Sequence, residues 1–121
     1  MLEHAASAPA EEVCGLIGGD GRCLLDFYPV PNAAADRRTG YLMAPREQIA
    51  VMRALRDNGQ VLAGIFHTHP FTEAEPSATD LALAAWPGVY YFIASTAVTP
   101  PQLNAFLFDG RSFLAVLLAD D

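Results

Sequence analysis

Residues 60 to 80 read QVLAGIFHTHPFTEAEPSATD, and the fold turns on the first ten of them. QVLAGIFHTH is apolar on both faces of an extended chain, which predicts a strand covered on both sides and central in its sheet. Pro70 removes a backbone donor and ends that strand. A polar loop follows, and PSATDLALAAW (76–86) then reads as a helix that Pro87-Gly88 stops.

On either side of this stretch, strand and helix signals intermix. LEHAASA (2–8) is a short helix candidate stopped by Pro9, and VCGLIGGDGRCLLDFYPV (13–30) predicts two strands around a Gly19-Asp20-Gly21 turn. PNAAADRRTG (31–40) reads as an exposed connection and YLMA (41–44) as a short strand. PREQIAVMRALRDNG (45–59) carries the clearest helix signal. Pro45 suits its first turn, Ile49, Met52 and Leu55 recur at helical spacing, and Asn58-Gly59 ends it. VYYFIAS (89–95), QLNAFLF (102–108) and SFLAVLLA (112–119) predict three closing strands, the last two joined at Asp109-Gly110 as a hairpin. Tyr90, Tyr91 and Phe92 then pack on alternate faces of their strand. The chain therefore predicts an α/β (α+β-like) layer of helices on a mixed sheet, in a single domain spanning 1–121.

Composition narrows the function. With 52% hydrophobic and 17% charged residues the chain has the means to build a core. A net charge of −7 and only seven basic residues argue against nucleic acid, whose phosphates need Lys and Arg. No apolar run is long enough for a membrane helix, and MLEHAASAPAEEV lacks the basic start and apolar block of a secretory signal. A cytoplasmic protein is the expectation. Two cysteines, Cys14 and Cys23, make no disulfide framework, and their apolar surroundings predict buried free thiols. His4 is expected to be exposed.

His67 and His69 are two of only three histidines in the chain, and they stand two apart on the central strand. Alternation turns both to the same face, close enough to share a metal ion, with Thr68 opposite. Six residues separate Pro70 from Ser77, and Asp80 follows three later. Ser77 and Asp80 suit the cap and acidic first turn of a helix, which is a rigid platform for a carboxylate. His67, His69 and Asp80 would then be three ligands around an open fourth position, the pattern of a catalytic zinc. Glu73 and Glu75 lie between them in what reads as a solvated loop.

HTHPFTEAEPSATD resembles the signature of the JAMM (MPN-plus) zinc metalloproteases: His-x-His-Pro, six residues, Ser, two residues, Asp. APAEEVCGLIGG (8–19) is similar to that family's first strand, where a glutamate stands two residues before Cys-Gly-Leu; here that residue is Glu12. The resemblance implies a curved, partly barrel-like mixed sheet flanked by helices, related to cytidine deaminases. It further implies one zinc held by His67, His69 and Asp80, with Glu12 as general base and Ser77 as oxyanion donor. The implied reaction is hydrolysis of an amide, after the C-terminal Gly-Gly of a ubiquitin-like or sulfur-carrier protein. Capping and oxyanion roles compete for the Ser77 hydroxyl in this reading. A non-catalytic scaffold of the same fold is the competing class, although scaffold members lose ligands that are present here. A zinc deaminase would need a Pro-Cys-x-x-Cys block, which this sequence lacks.

Overall fold

The computed structural model describes residues 1–118. In chain order the elements are α1 (Leu2–Ser7), β1 (Cys14–Gly19), β2 (Leu24–Val30), α2 (Pro45–Asp57), β3 (Val61–His69), α3 (Ala78–Leu83), β4 (Tyr90–Ser95), β5 (Gln102–Phe108) and β6 (Phe113–Val116). The strands form one six-stranded sheet in the order β2-β1-β3-β4-β5-β6. β3 lies inside it, as a strand apolar on both faces requires. Its pairing with β4 is parallel and every other pairing is antiparallel, so the sheet is mixed, as expected. A parallel neighbour needs a crossover, and the loop and α3 supply it.

Side-chain alternation divides the core between the two faces. On one, Cys14, Leu16, Ile65, Tyr91 and Phe108 pack with Val51 and Met52 of α2. On the other, Ile17, Phe66, Phe92 and Ala105 pack with Ala5 of α1 and with Phe27. Tyr91 and Phe92 thus fall on opposite faces, as their alternation predicts. His67 and His69 share the face of Ile65, two and four residues back along β3. Among the described residues no helix is long and apolar enough to cross a membrane.

Several local expectations need correction. Residues 41–44 form no strand; only a single bridge joins Met43 to Asn32. The Asn32 side chain takes the place of a ladder, accepting from the N–H groups of Ala34 and Leu42 and donating to the Gly40 carbonyl. In α2 the inward stripe is Val51, Met52 and Leu55, while Ile49 is 54% exposed. α3 ends at Leu83 because Ala84 turns extended and no α3 residue is buried, leaving the helix little beyond its cap to hold it. The turn between β1 and β2 is longer than three residues, since Asp20 Oδ1 accepts from both Arg22 and Cys23 N–H at 2.8 Å. Cys23 is therefore exposed, whereas Cys14 is buried. β6 stops at Val116, and Ala119 of the expected SFLAVLLA strand lies outside the described residues.

One close approach can be tested. A Cβ on Gly15 would strike the Phe27 ring and stand 2.7 Å from the Tyr28 carbonyl oxygen, where β1 and β2 pair. Gly15→Ala is expected to cost about 1–3 kcal/mol, because neither ring nor backbone can withdraw freely. Urea unfolding measures it, and an unchanged midpoint would refute this packing of Phe27 over β1.

Candidate metal centre

The site forms where three chain segments meet at the end of β3. Its pairings place Cys14 opposite His67, and His67 and His69 beside Ile93 and Ser95. The histidines point into one buried pocket, with His67 1% and His69 6% exposed. Their Nε2 atoms lie 3.1 Å apart.

Glu12 arrives from the antiparallel partner. Continuing the Cys14–His67 register by two residues puts Glu12 level with His69 on the same face. Thr68 carries the pairing past the end of β1: its N–H donates to the Val13 carbonyl at 3.1 Å, and its Oγ1 accepts from Val13 N–H at 2.9 Å. The Glu12 backbone is pinned on its other side, donating to the Arg37 carbonyl and accepting from Asn32 Nδ2. Glu12 is only 6% exposed, unlike an ordinary acid at a strand start. Neighbouring Glu11 turns outward and lies 3.7 Å from Arg37. One ligand atom each from Glu12, His67 and His69 falls within 4.8 Å of the other two, a spacing that suits one metal ion.

Asp80 comes from the opposite rim. Ser77 Oγ accepts from Asp80 N–H at 3.0 Å, and Asp80 Oδ2 accepts from Ser77 N–H at 2.9 Å, a reciprocal cap that fixes the carboxylate. The same Oδ2 lies 3.2 Å from His67 Nε2 and 3.0 Å from His69 Nε2. The two histidines are thus shared by two carboxylates, Glu12 on the β1 side and Asp80 on the α3 side. As a cap the Ser77 hydroxyl only accepts, so its own O–H is still available to donate.

Buried among these neighbours, the groups shift apart. Burial lifts the Glu12 carboxyl to about 7, with His69 pulling against it and Asp80 adding to it. Burial also works to raise Asp80, but hydrogen bonds from His67 and His69 outweigh it and hold the carboxyl well below the usual range. His67 is pushed down by burial. Burial opposes a charge on His69 too, yet Asp80 and the Glu73 carbonyl carry it above the ordinary imidazole value. Cys14 faces His67 across the strands, but burial raises its thiol to about 12 and its S–H donates to the Val30 carbonyl. It belongs to the core.

The donor set can be tested against a metal. His69 Nδ1–H donates to the Glu73 carbonyl at 2.8 Å, so the neutral ring presents a lone pair at Nε2. That lone pair faces the ionised Asp80 Oδ2, and a cation between the two acceptors satisfies both: a proton on Nε2, which then donates to Asp80 in the metal-free chain, or a bound metal ion. Two imidazole nitrogens and carboxylate oxygens are ligands that zinc accepts, and a ring N–H bound to a backbone carbonyl is the usual outer support of a metal-bound histidine. His67 differs: among the described residues its Nδ1 has no hydrogen-bond partner, and its ring stacks on Tyr41 with centroids 4.4 Å apart. The residues fit a divalent metal.

Glu73 and Glu75 are exposed, so their carboxylates stay in solvent; it is the Glu73 backbone that reaches the site. Sequence reasoning missed that carbonyl, as well as Asn32 and Tyr41. No residue pattern announces a backbone acceptor, although the turn-forming Pro31-Asn32 pair was a signal for an anchored loop. A cleft of about 350 Å3 opens beside Glu12, lined by His4, Glu11, Asn32 and Arg37. His4 is half-buried there, its ring 5.5 Å from Phe27, rather than free in solvent.

Comparison with known proteins bears on this arrangement. Residues 1–109 match the family model described as prokaryotic homologs of the JAB domain. A desampylase of Haloferax volcanii is 40% identical over 95 residues, covering 77% of this chain and 68% of the relative. A CysO-cysteine peptidase of Mycobacterium tuberculosis is 36% identical over 97 residues, covering 79% of this chain and 66% of the relative. The chain thus spans about two thirds of the length of these relatives. A protein of Desulfitobacterium hafniense solved in solution superposes with a TM-score of 0.83 at 37% identity, covering 96% of this chain and 82% of the other.

Proposed function

The chain belongs to the prokaryotic JAB-domain family, and from that premise we propose that it is a zinc-dependent isopeptidase acting on ubiquitin-like or sulfur-carrier proteins. It hydrolyses the amide bond after the carrier's C-terminal tail. One observation carries the reading: Glu12, His67 and His69 converge in a buried pocket with Asp80 Oδ2 within 3.2 Å of both imidazoles. Burying Glu12, His67 and His69 beside a half-buried Asp80 has no value to a scaffold, because polar groups taken from water cost free energy unless something binds them. The relatives named desampylase and CysO-cysteine peptidase support the hydrolytic class and the carrier-type substrate.

His67, His69 and Asp80 would hold the ion, with Asp80 rather than Glu12 as the carboxylate ligand because it stays ionised and touches both histidines. When bound, zinc supplies Lewis acidity, polarising the substrate carbonyl and making water acidic enough to attack near neutrality. Glu12, buried level with His69 on the same face, takes a proton from the attacking water and returns it to the departing nitrogen. Ser77 keeps its cap and turns its O–H to the oxyanion; one such donor is worth about 3–4 kcal/mol of barrier.

Elemental analysis of purified protein tests the premise. About one zinc per chain is expected, as a three-ligand site demands, and none in the His67→Ala/His69→Ala double variant. Carrier proteins extended at their C-termini should be cleaved, with cleavage lost to a chelator and restored by zinc. Wild-type protein that stays metal-free in added zinc would end the hydrolase reading and leave a protein-binding module.

A further inference from the structure

The loop between Pro70 and Ser77 supplies the carbonyl that orients His69, yet its own sequence offers little to hold it. Phe71, Thr72, Glu73 and Glu75 are all exposed, and only Ala74 is buried. What holds the loop comes from the sheet beneath. Ser95 Oγ donates to the Thr72 carbonyl at 2.6 Å, and Asn104 Nδ2 donates to the Ala74 carbonyl at 3.0 Å. The Ala74 methyl packs on Ile93 and Phe106 between these two tethers. The carbonyls on both sides of Glu73 are therefore claimed by β4 and β5. The Glu73 carbonyl is left to accept from His69 Nδ1–H at 2.8 Å.

The register explains why these two residues can do this. His69 pairs with Ser95, and Ser95 with Gln102, so Ser95, Gln102 and Asn104 share the histidine face of the sheet. Ser95 is 1% exposed and sits beside the ring whose partner it fixes. Neither side chain touches the candidate ligand atoms. We propose that Ser95 and Asn104 are positioning residues for His69: through the backbone of Thr72 to Ala74 they hold its proton on Nδ1 and its lone pair on Nε2, facing the metal. This rests on the zinc reading only for its consequence. The tautomer itself is a property of the metal-free chain. His67, whose Nδ1 has no such partner among the described residues, stacks on Tyr41 instead.

Two measurements on the full chain test the inference. Nitrogen-15 NMR of the metal-free protein, at a pH above the observed His69 titration so that its ring is neutral, reads the His69 tautomer directly. Competition with a chromophoric chelator reads zinc affinity. Wild type should show His69 protonated at Nδ1, and Ser95→Ala/Asn104→Ala should show averaging between tautomers with zinc bound about tenfold more weakly. Ser95→Thr, which keeps the hydroxyl, should retain the wild-type spectrum. Should the double variant fail to fold, each single variant is read by the same two criteria. An unchanged His69 tautomer and unchanged affinity in the folded variants would overturn the proposal. If wild type binds no zinc, the proposed function fails while the NMR comparison still decides the tautomer lock: averaging in the variants upholds it, and an unchanged spectrum sinks it.

Discussion

Asp80→Ala is expected to purify without metal and without activity. Asp80 Oδ2 is the carboxylate oxygen within 3.2 Å of both His67 and His69 Nε2, and among the described residues no other ionised group is so placed. Outer partners of metal ligands commonly cost 10–100-fold in affinity when removed, so loss of a direct ligand should exceed about 100-fold. The alanine variant also loses half of the reciprocal cap with Ser77, worth about 1 kcal/mol of stability. Asp80→Asn separates the two effects. Its amide oxygen can still accept from Ser77 N–H, while the negative charge is gone. In the metal-free state it should melt below wild type, because the carboxylate charge that the histidines hold is gone, yet above Asp80→Ala, which also loses the cap, and it should bind zinc at least tenfold more weakly. Wild-type zinc content in Asp80→Asn would refute the ligand assignment and point to Glu12 as the metal-binding carboxylate.

Glu12→Gln should do the reverse, keeping zinc and losing activity. A general acid–base group contributes about 10²–10⁴-fold, and cleavage should fall within that range while metal content holds. Activity retained in this variant would remove Glu12 from the mechanism. The same substitution carries a stability signature in the metal-free protein. Burial raises the Glu12 carboxyl from 4.5 to about 7, so the unfolded chain ionises before the folded one does. Below 4.5 both states hold the proton; as pH rises toward 7 the folded state loses stability relative to the unfolded one. Glutamine never ionises. Metal-free Glu12→Gln should therefore melt above metal-free wild type at pH values beyond 7, with the gap closing below 4.5. Equal pH profiles would mean that Glu12 is not buried when the metal is absent.

These two carboxylates were not equally legible in the sequence. Asp80 belongs to a local pattern: a proline-ended strand, a short loop and a Ser-x-x-Asp helix start all lie within residues 60–80. Geometry over such a short stretch follows from strand alternation and capping, so the placement of His67, His69 and Asp80 could be reasoned from spacing. Glu12 is 55 residues before His67, and only the resemblance distinguished it from Glu11. The physical selection is made by β1·β3 pairing, which turns Glu12 inward beside His69 and leaves Glu11 toward Arg37.

Where the reading of secondary structure failed, an unseen interaction had decided the matter. YLMA has strand-like composition, yet Asn32 binds its backbone from the side and Tyr41 is drawn onto His67. Ile49 has helical spacing, but α2 meets the sheet through Val51, Met52 and Leu55. LALAAW continues the helical pattern of α3, but Leu81, Ala82 and Leu83 stay exposed, and the helix stops at Leu83 where Ala84 turns extended and packs on the core. Cys23 sits in apolar sequence and is held in solvent by the Asp20 turn.

By itself the sequence determined the central strand, the mixed order of strands and helices, and the meeting of two histidines with a carboxylate across a short loop. Those features follow from periodicity and chain connectivity within about twenty residues, where side-chain direction is dictated by local backbone geometry. Only the tertiary structure decided which glutamate faces the histidines, how far each carboxyl is shifted, and that Ser95 and Asn104 brace the carbonyl behind His69. Those depend on strand register and burial, which arise when distant segments pack and remove water, and no local pattern encodes them.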